Sequence, residues 1–192
     1  GCAVLSGPQR YPVILYAPQL VAQADPSWPR AEWQLAIAPP SGSGHVDGSR
    51  IGVRPVPGEL QVYRGAAWAQ PATDMVEASV LRVLEDSGKL AGVGRLATGL
   101  RADYRLLMDV RRFEADYRGG SLPAATLEIS ATLLDNSRQR SVAHHTFTRV
   151  QPAAATDVAS VAHAFDQALA AVATDIAGWT LVQGQADRQS RP

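Results

Sequence analysis

Apolar and polar positions alternate with a period of two along several stretches of this chain and shift to a helical period in two others. Trp33, Leu35 and Ile37 share one face of a strand over 33–37, which Pro39 and Pro40 end. A glycine-serine loop over 41–48 follows. Ile51 and Val53 then point inward from a strand at 50–54, and Pro57-Gly58 turns the chain into a third strand over 60–64. Over 71–87 the period changes: Met75, Val76, Ser79, Val80, Val83 and Leu84 recur at helical spacing, while Asp74, Glu77, Arg82, Glu85 and Asp86 face outward. Thr73 with Asp74 supplies an N-cap for this helix, and Gly88 stands where a C-terminal glycine is expected.

A short strand at 90–93 leads to a longer one, where Tyr104, Leu106, Met108 and Val110 hold one face before the apolar register passes to Phe113, Ala115 and Tyr117. Such a flip marks a bulge near Arg111-Arg112. The next strand, 125–133, alternates cleanly, and a turn at 135–138 returns the chain along 139–150 as a long antiparallel hairpin. The last stripe runs through Val158, Val161, Ala162, Phe165, Leu169, Val172, Ile176 and Trp179. It predicts a helix over 157–179, capped by Thr156 and roughly 35 Å long at about 1.5 Å per residue.

These elements predict an α+β fold, a mostly antiparallel mixed sheet with two long helices packed on one face. Pro8, Pro12, Pro18, Pro26 and Pro29 make residues 1–30 an extended tether, with 11–16 as an edge strand docking on the body. Residues 31–181 form the single domain, and 182–192 read as a polar, frayed tail.

Composition narrows the function classes. Among 192 residues, 18 basic side chains balance 18 acidic ones with no basic stripe, which argues against nucleic acid as a partner. The single cysteine excludes an internal disulfide. No apolar run approaches the roughly 20 residues of a membrane-spanning helix.

Candidate chemistry is sparse. Ser41 to His45 contains serine and histidine but lacks the strand-to-helix elbow that presents a catalytic serine. His144 and His145 are neighbours on a strand and point to opposite faces, so they do not chelate one metal ion together. Gly92 to Ala97 matches a loose dinucleotide fingerprint but leads into a strand, with no helix N-terminus to hold a pyrophosphate. These readings assign no catalytic, cofactor or metal site. Cys2 differs, because Gly1-Cys2 has the form left by a lipoprotein signal sequence, a small residue immediately before the cysteine that receives lipid. The alternative is an incidental thiol left from a truncated leader.

The runs Arg50 to Arg54, Leu60 to Tyr63, Trp68 to Pro71, Leu81 to Gly88, Asp103 to Leu106 and Phe113-Glu114, with Ala164-Phe165 and Trp179 in the closing helix, resemble in order and spacing the ABC-type transport auxiliary lipoproteins. These are the Pqi-type lipoproteins that accompany MCE proteins. Gly52 departs from the pattern, standing where the family usually has a larger residue. The resemblance implies a non-enzymatic envelope protein anchored by acyl chains on Cys2. It would serve a system for lipid or another hydrophobic solute, with an MCE-domain protein and an ABC permease and ATPase as partners. Ala3 replaces the aspartate that retains lipoproteins at the inner membrane in enteric bacteria, which favours the inner leaflet of the outer membrane. Self-association is compatible with this reading. Tyr63 and Trp68 are candidate partner contacts, with burial in the core as the equal alternative. A periplasmic enzyme on an envelope substrate and a generic envelope scaffold are the competing classes.

Overall fold

The computed structural model describes residues 12–192, which form nine strands and two α-helices. In chain order they are β1 (Ile14–Tyr16), β2 (Ala31–Ile37), β3 (Ser41–Gly42), β4 (Arg50–Arg54), β5 (Gln61–Trp68), α1 (Ala72–Ser87), β6 (Leu90–Arg95), β7 (Tyr104–Asp116), β8 (Ala124–Asp135), β9 (Arg140–Pro152) and α2 (Val158–Gln189). A 3-10 turn at Gly44–Asp47 links β3 to β4.

β7 organises the sheet. One of its edges pairs antiparallel with β8 along its whole length, and β8 pairs antiparallel with β9. The other edge is taken in succession by β2 at Tyr104–Leu106, β3 at Asp109–Val110 and β4 at Glu114–Asp116, all parallel to β7. Those three strands behave as one long strand cut by Pro39-Pro40 and by the loop before Arg50, since proline donates no ladder hydrogen bond. From this interrupted edge the sheet continues into two wings. β6 pairs parallel with β2, while β5 pairs antiparallel with β4 and carries β1 parallel at its outer edge. The fold is therefore α+β with a mixed sheet. Its antiparallel share lies chiefly in the long β7–β8–β9 meander, whereas the short strands pair mostly in parallel.

The bulge falls where the alternation flips: the β7–β8 register shifts between Val110 and Arg112, leaving Arg111 unpaired. Tyr104, Leu106, Met108 and Val110 before the shift, and Phe113 and Ala115 after it, are all buried. α1 lays Met75, Val76, Val80, Val83 and Leu84 into the core and ends on Gly88, whose φ of +60° suits glycine. Two local expectations change here. Pro71 occupies the N-cap position without a side-chain cap, and Thr73 is buried instead. Glu77 is buried too, covered by Arg95 at 3.2 Å.

α2 departs most from expectation. Its cap is Asp157, not Thr156: the carboxylate accepts from the Ser160 N–H at 2.9 Å, favourably placed at the positive end of the helix dipole. The helix also continues through the supposed tail to Gln189, with Gly178, Leu181, Gly184 and Asp187 on its buried face. The glycines are notches. A Cβ on Gly178 would lie 2.7 Å from the Trp28 ring, and one on Gly184 would lie 2.5 Å from the Trp33 ring.

Residues 12–30, expected to be part of an extended tether, dock on the body. β1 docks on β5, Tyr16, Leu20, Ala22 and Trp28 pack against the core, and the Lys89 ammonium donates to the Pro26 carbonyl at 2.9 Å. Apolar side chains between the prolines hold residues 12–30 to the body. Tyr11, the predicted start of the edge strand, lies outside the described residues.

Candidate functional site

The sequence-predicted positions separate in space. Cys2 lies outside the described residues. Trp68, the last residue of β5, is 1% exposed and sits at 5.0 Å from Phe165 of α2 and 5.8 Å from Phe113 of β7, ring centroid to centroid. Phe113 stacks on Phe165 at 5.0 Å, so strand, sheet centre and helix meet in one aromatic cluster. Trp68 is thus a core residue and is corrected as a partner contact. It ends β5 facing the helices, and its large apolar ring gains more from that cluster than from solvent. Tyr63, five residues earlier on β5, is half-buried; its hydroxyl meets no hydrogen-bond partner among the described residues, and burial, with Tyr117 nearby, pushes its pKa up to about 12.

Two polar clusters lie at the ends of β7, and neither was visible as a whole in the sequence. At its C-terminal end Glu114, 1% exposed, accepts from the Arg54 and Arg112 guanidiniums at 3.0 and 2.8 Å. Arg112 also donates to Asp116 at 2.6 Å, and His45 Nε2 lies 3.5 Å from Glu114. Burial by itself would raise the Glu114 pKa, but the two arginines outweigh it and hold the carboxyl below its usual range. Gly52 belongs to this cluster: a Cβ there would lie 2.7 Å from His45 Cδ2, so the missing side chain makes room for the imidazole.

At the N-terminal end of β7, Asp187 accepts from the Tyr104 hydroxyl at 2.6 Å, from Arg191 at 2.9 Å and from Arg140. Arg191 also reaches Asp135, which is fully buried, at 3.0 Å. Burial opposes ionisation of Asp187, yet the hydroxyl and the guanidiniums bring its pKa down to about 2, while burial and the Asp187 hydrogen bond push Tyr104 up to about 12. Asp187 and Arg191 are one helical turn apart, but the other partners stand far away in sequence, 87 residues for Arg191 and Tyr104.

Both clusters are closed constellations in which each carboxylate is engaged by guanidinium groups, an arrangement suited to locking strands and helix together. One serine does meet one histidine: Ser130 Oγ lies 3.4 Å from His144 Nε2, with Thr132 Oγ1 2.9 Å from Nδ1. The pair sits between two neighbouring strands, where backbone N–H groups are committed to the ladder and none is aimed at a developing oxyanion. A threonine stands where a triad places a carboxylate. His145 turns the other way and meets the Phe147 ring at 4.6 Å. Among the described residues no three His, Cys, Asp or Glu side chains gather to hold a metal ion, and no helix is long and apolar enough to cross a membrane.

Comparison with known proteins places this fold. The family described as the ABC-type transport auxiliary lipoprotein component matches residues 14–177, which takes in both wings of the sheet, α1 and most of α2. The chain belongs to this family of ABC-type transport auxiliary lipoproteins. The crystal structure of protein XCC0632 from Xanthomonas campestris is similar at 56% identity with a TM-score of 0.90, over 93% of this chain and all of that one. A hypothetical protein from Chlamydia trachomatis, at 10% identity and a TM-score of 0.54 over 79% of this chain and 99% of its own, shares the fold alone. An uncharacterized protein of Bradyrhizobium diazoefficiens is 28% identical over 153 residues; the match covers 77% of this chain but only 39% of that longer protein.

Proposed function

We propose that this auxiliary lipoprotein is a non-enzymatic docking component of an ABC/MCE-type system that moves lipid or another hydrophobic solute. In this reading it is anchored through acyl chains on Cys2, on the periplasmic side of the envelope at the inner leaflet of the outer membrane. Its partners are an MCE-domain protein and the associated ABC permease and ATPase. The observation that carries the reading is the family match across residues 14–177, the folded body and not one motif of it. The closed state of both polar clusters supports the non-enzymatic part, because a reacting group needs an open position and each of these carboxylates is already occupied. In this reading, more than one acyl chain on Cys2 meets the two-signal requirement for stable anchoring.

The test is expression with the native leader in cells fed labelled palmitate. Wild-type protein is expected in the membrane fraction carrying label, and Cys2→Ala in the soluble fraction without it. Unlabelled, soluble wild-type protein would overturn the anchor.

A further inference from the structure

We propose that the end of the molecule formed by the β4–β5 turn and the β7–β8 loop rests on the lipid surface, so that this lipoprotein stands upright on its anchor with α2 pointing away. The proposal rests on the anchoring reading above and adds an orientation and a lipid-contacting surface to it.

Val21, 83% exposed, lies beside α2, and three other exposed apolar side chains lie on two neighbouring connections. Val56 and Leu60, 49% and 44% exposed, form the tip of the turn between β4 and β5, and Leu122, 47% exposed, lies in the loop between β7 and β8. The two connections are neighbours, because Arg54 pairs with Asp116 and the Tyr117 N–H donates to the Arg54 carbonyl at 3.1 Å. Single exposed apolar residues need no explanation, but three on adjacent connections give this end an apolar character.

The course of the chain says what covers them. β1 pairs parallel with β5, Ile14 opposite Ala66, so the chain enters from the side of the β4–β5 tip. Val13, Ile14 and Leu15 are exposed along that entry, each more than half accessible. The ten peptide steps from Cys2 to Pro12 reach at most about 35 Å, so acyl chains on Cys2 keep this end within that distance of the bilayer. Exposed Arg64 and Arg118 near the same end suit lipid phosphates, against a single exposed Glu59 at the tip. Val182, 48% exposed on the last turns of α2, lies toward the opposite end, where Asp187 meets Tyr104.

The experiment reconstitutes the palmitate-labelled, full-length protein into vesicles of phosphatidylethanolamine and phosphatidylglycerol. Lipidation consumes the Cys2 thiol, so single cysteines introduced as Val56→Cys, Leu60→Cys, Leu122→Cys and Val182→Cys can each carry a nitroxide. Circular dichroism checks that each variant is folded. The ratio of relaxation by oxygen, which concentrates in lipid, to relaxation by an aqueous nickel complex is expected to be severalfold higher at 56, 60 and 122 than at 182. Equal, water-like ratios at all four positions in palmitate-bearing protein would overturn the orientation and leave the anchor standing. Shielding of 56, 60 and 122 that arises only when a protein partner is added would also overturn it, making the tip a protein interface. Absence of palmitate would overturn the anchor and this orientation with it.

Discussion

A side chain at position 52 would claim space that the His45 ring already fills. Gly52 and His45 therefore form a pair, and the two positions are expected to exchange volume. Gly52→Ala places a Cβ 2.7 Å from His45 Cδ2 and is expected to destabilise by about 1–3 kcal/mol, the usual range for overpacking. His45→Ala in the same chain should restore much of that loss, whereas independent sites would simply add. Chemical denaturation of the two single variants and the double variant reads the coupling directly. Trp68 makes a second case: as a core residue between Phe113 and Phe165, its truncation to alanine should cost about 3–5 kcal/mol. Near wild-type stability with weakened capture of a partner would return Trp68 to the role of contact residue.

At the scale of elements, the long strands and both helices were readable because each buries one face at a regular period. The β7 bulge was readable for the same reason, since the burial of Val110 and then Phe113 leaves the same mark in the sequence as in the register shift. The last third of α2 was not. Its buried positions are Gly178, Thr180, Leu181, Gly184 and Asp187, and four of those five carry no apolar side chain; at the glycines and Asp187 the filling groups arrive from Trp28, Trp33 and Arg191. The docked course of residues 12–30 was hidden in the same way, its apolar residues scattered between prolines without a period. Of the polar clusters only local pieces were legible, Arg112, Glu114 and Asp116 at strand spacing and Asp187 with Arg191 one helical turn apart; His45, Arg54, Tyr104, Asp135 and Arg140 join them only when distant elements are assembled.

One pH dependence follows at this scale. Asp187 has a folded pKa near 2 against about 3.9 for an unperturbed aspartate, so its contribution to stability is present above about pH 4 and is lost as the pH falls toward 2. Asp187→Asn should lower the thermal midpoint at pH 7 and show a shallower acid decline than wild type across that window. Parallel curves would mean that Asp187 is not held by Tyr104 and the arginines in solution.

The whole molecule presents a body locked at both ends of β7, with its polar networks used for structure and its chemistry closed. In the proposed function, its place in a transport system depends on membrane attachment and on partners outside this chain, and the two are expected to be linked. The most direct measurement is mild crosslinking in intact cells followed by purification of the full-length protein from membranes and identification of the captured proteins by mass spectrometry. The wild type is expected to bring down an MCE-domain protein together with its ABC permease or ATPase, and Cys2→Ala to lose them while the domain stays folded. Capture of no transport component by membrane-bound, folded wild type would contradict the central claim and favour a scaffold unconnected to transport.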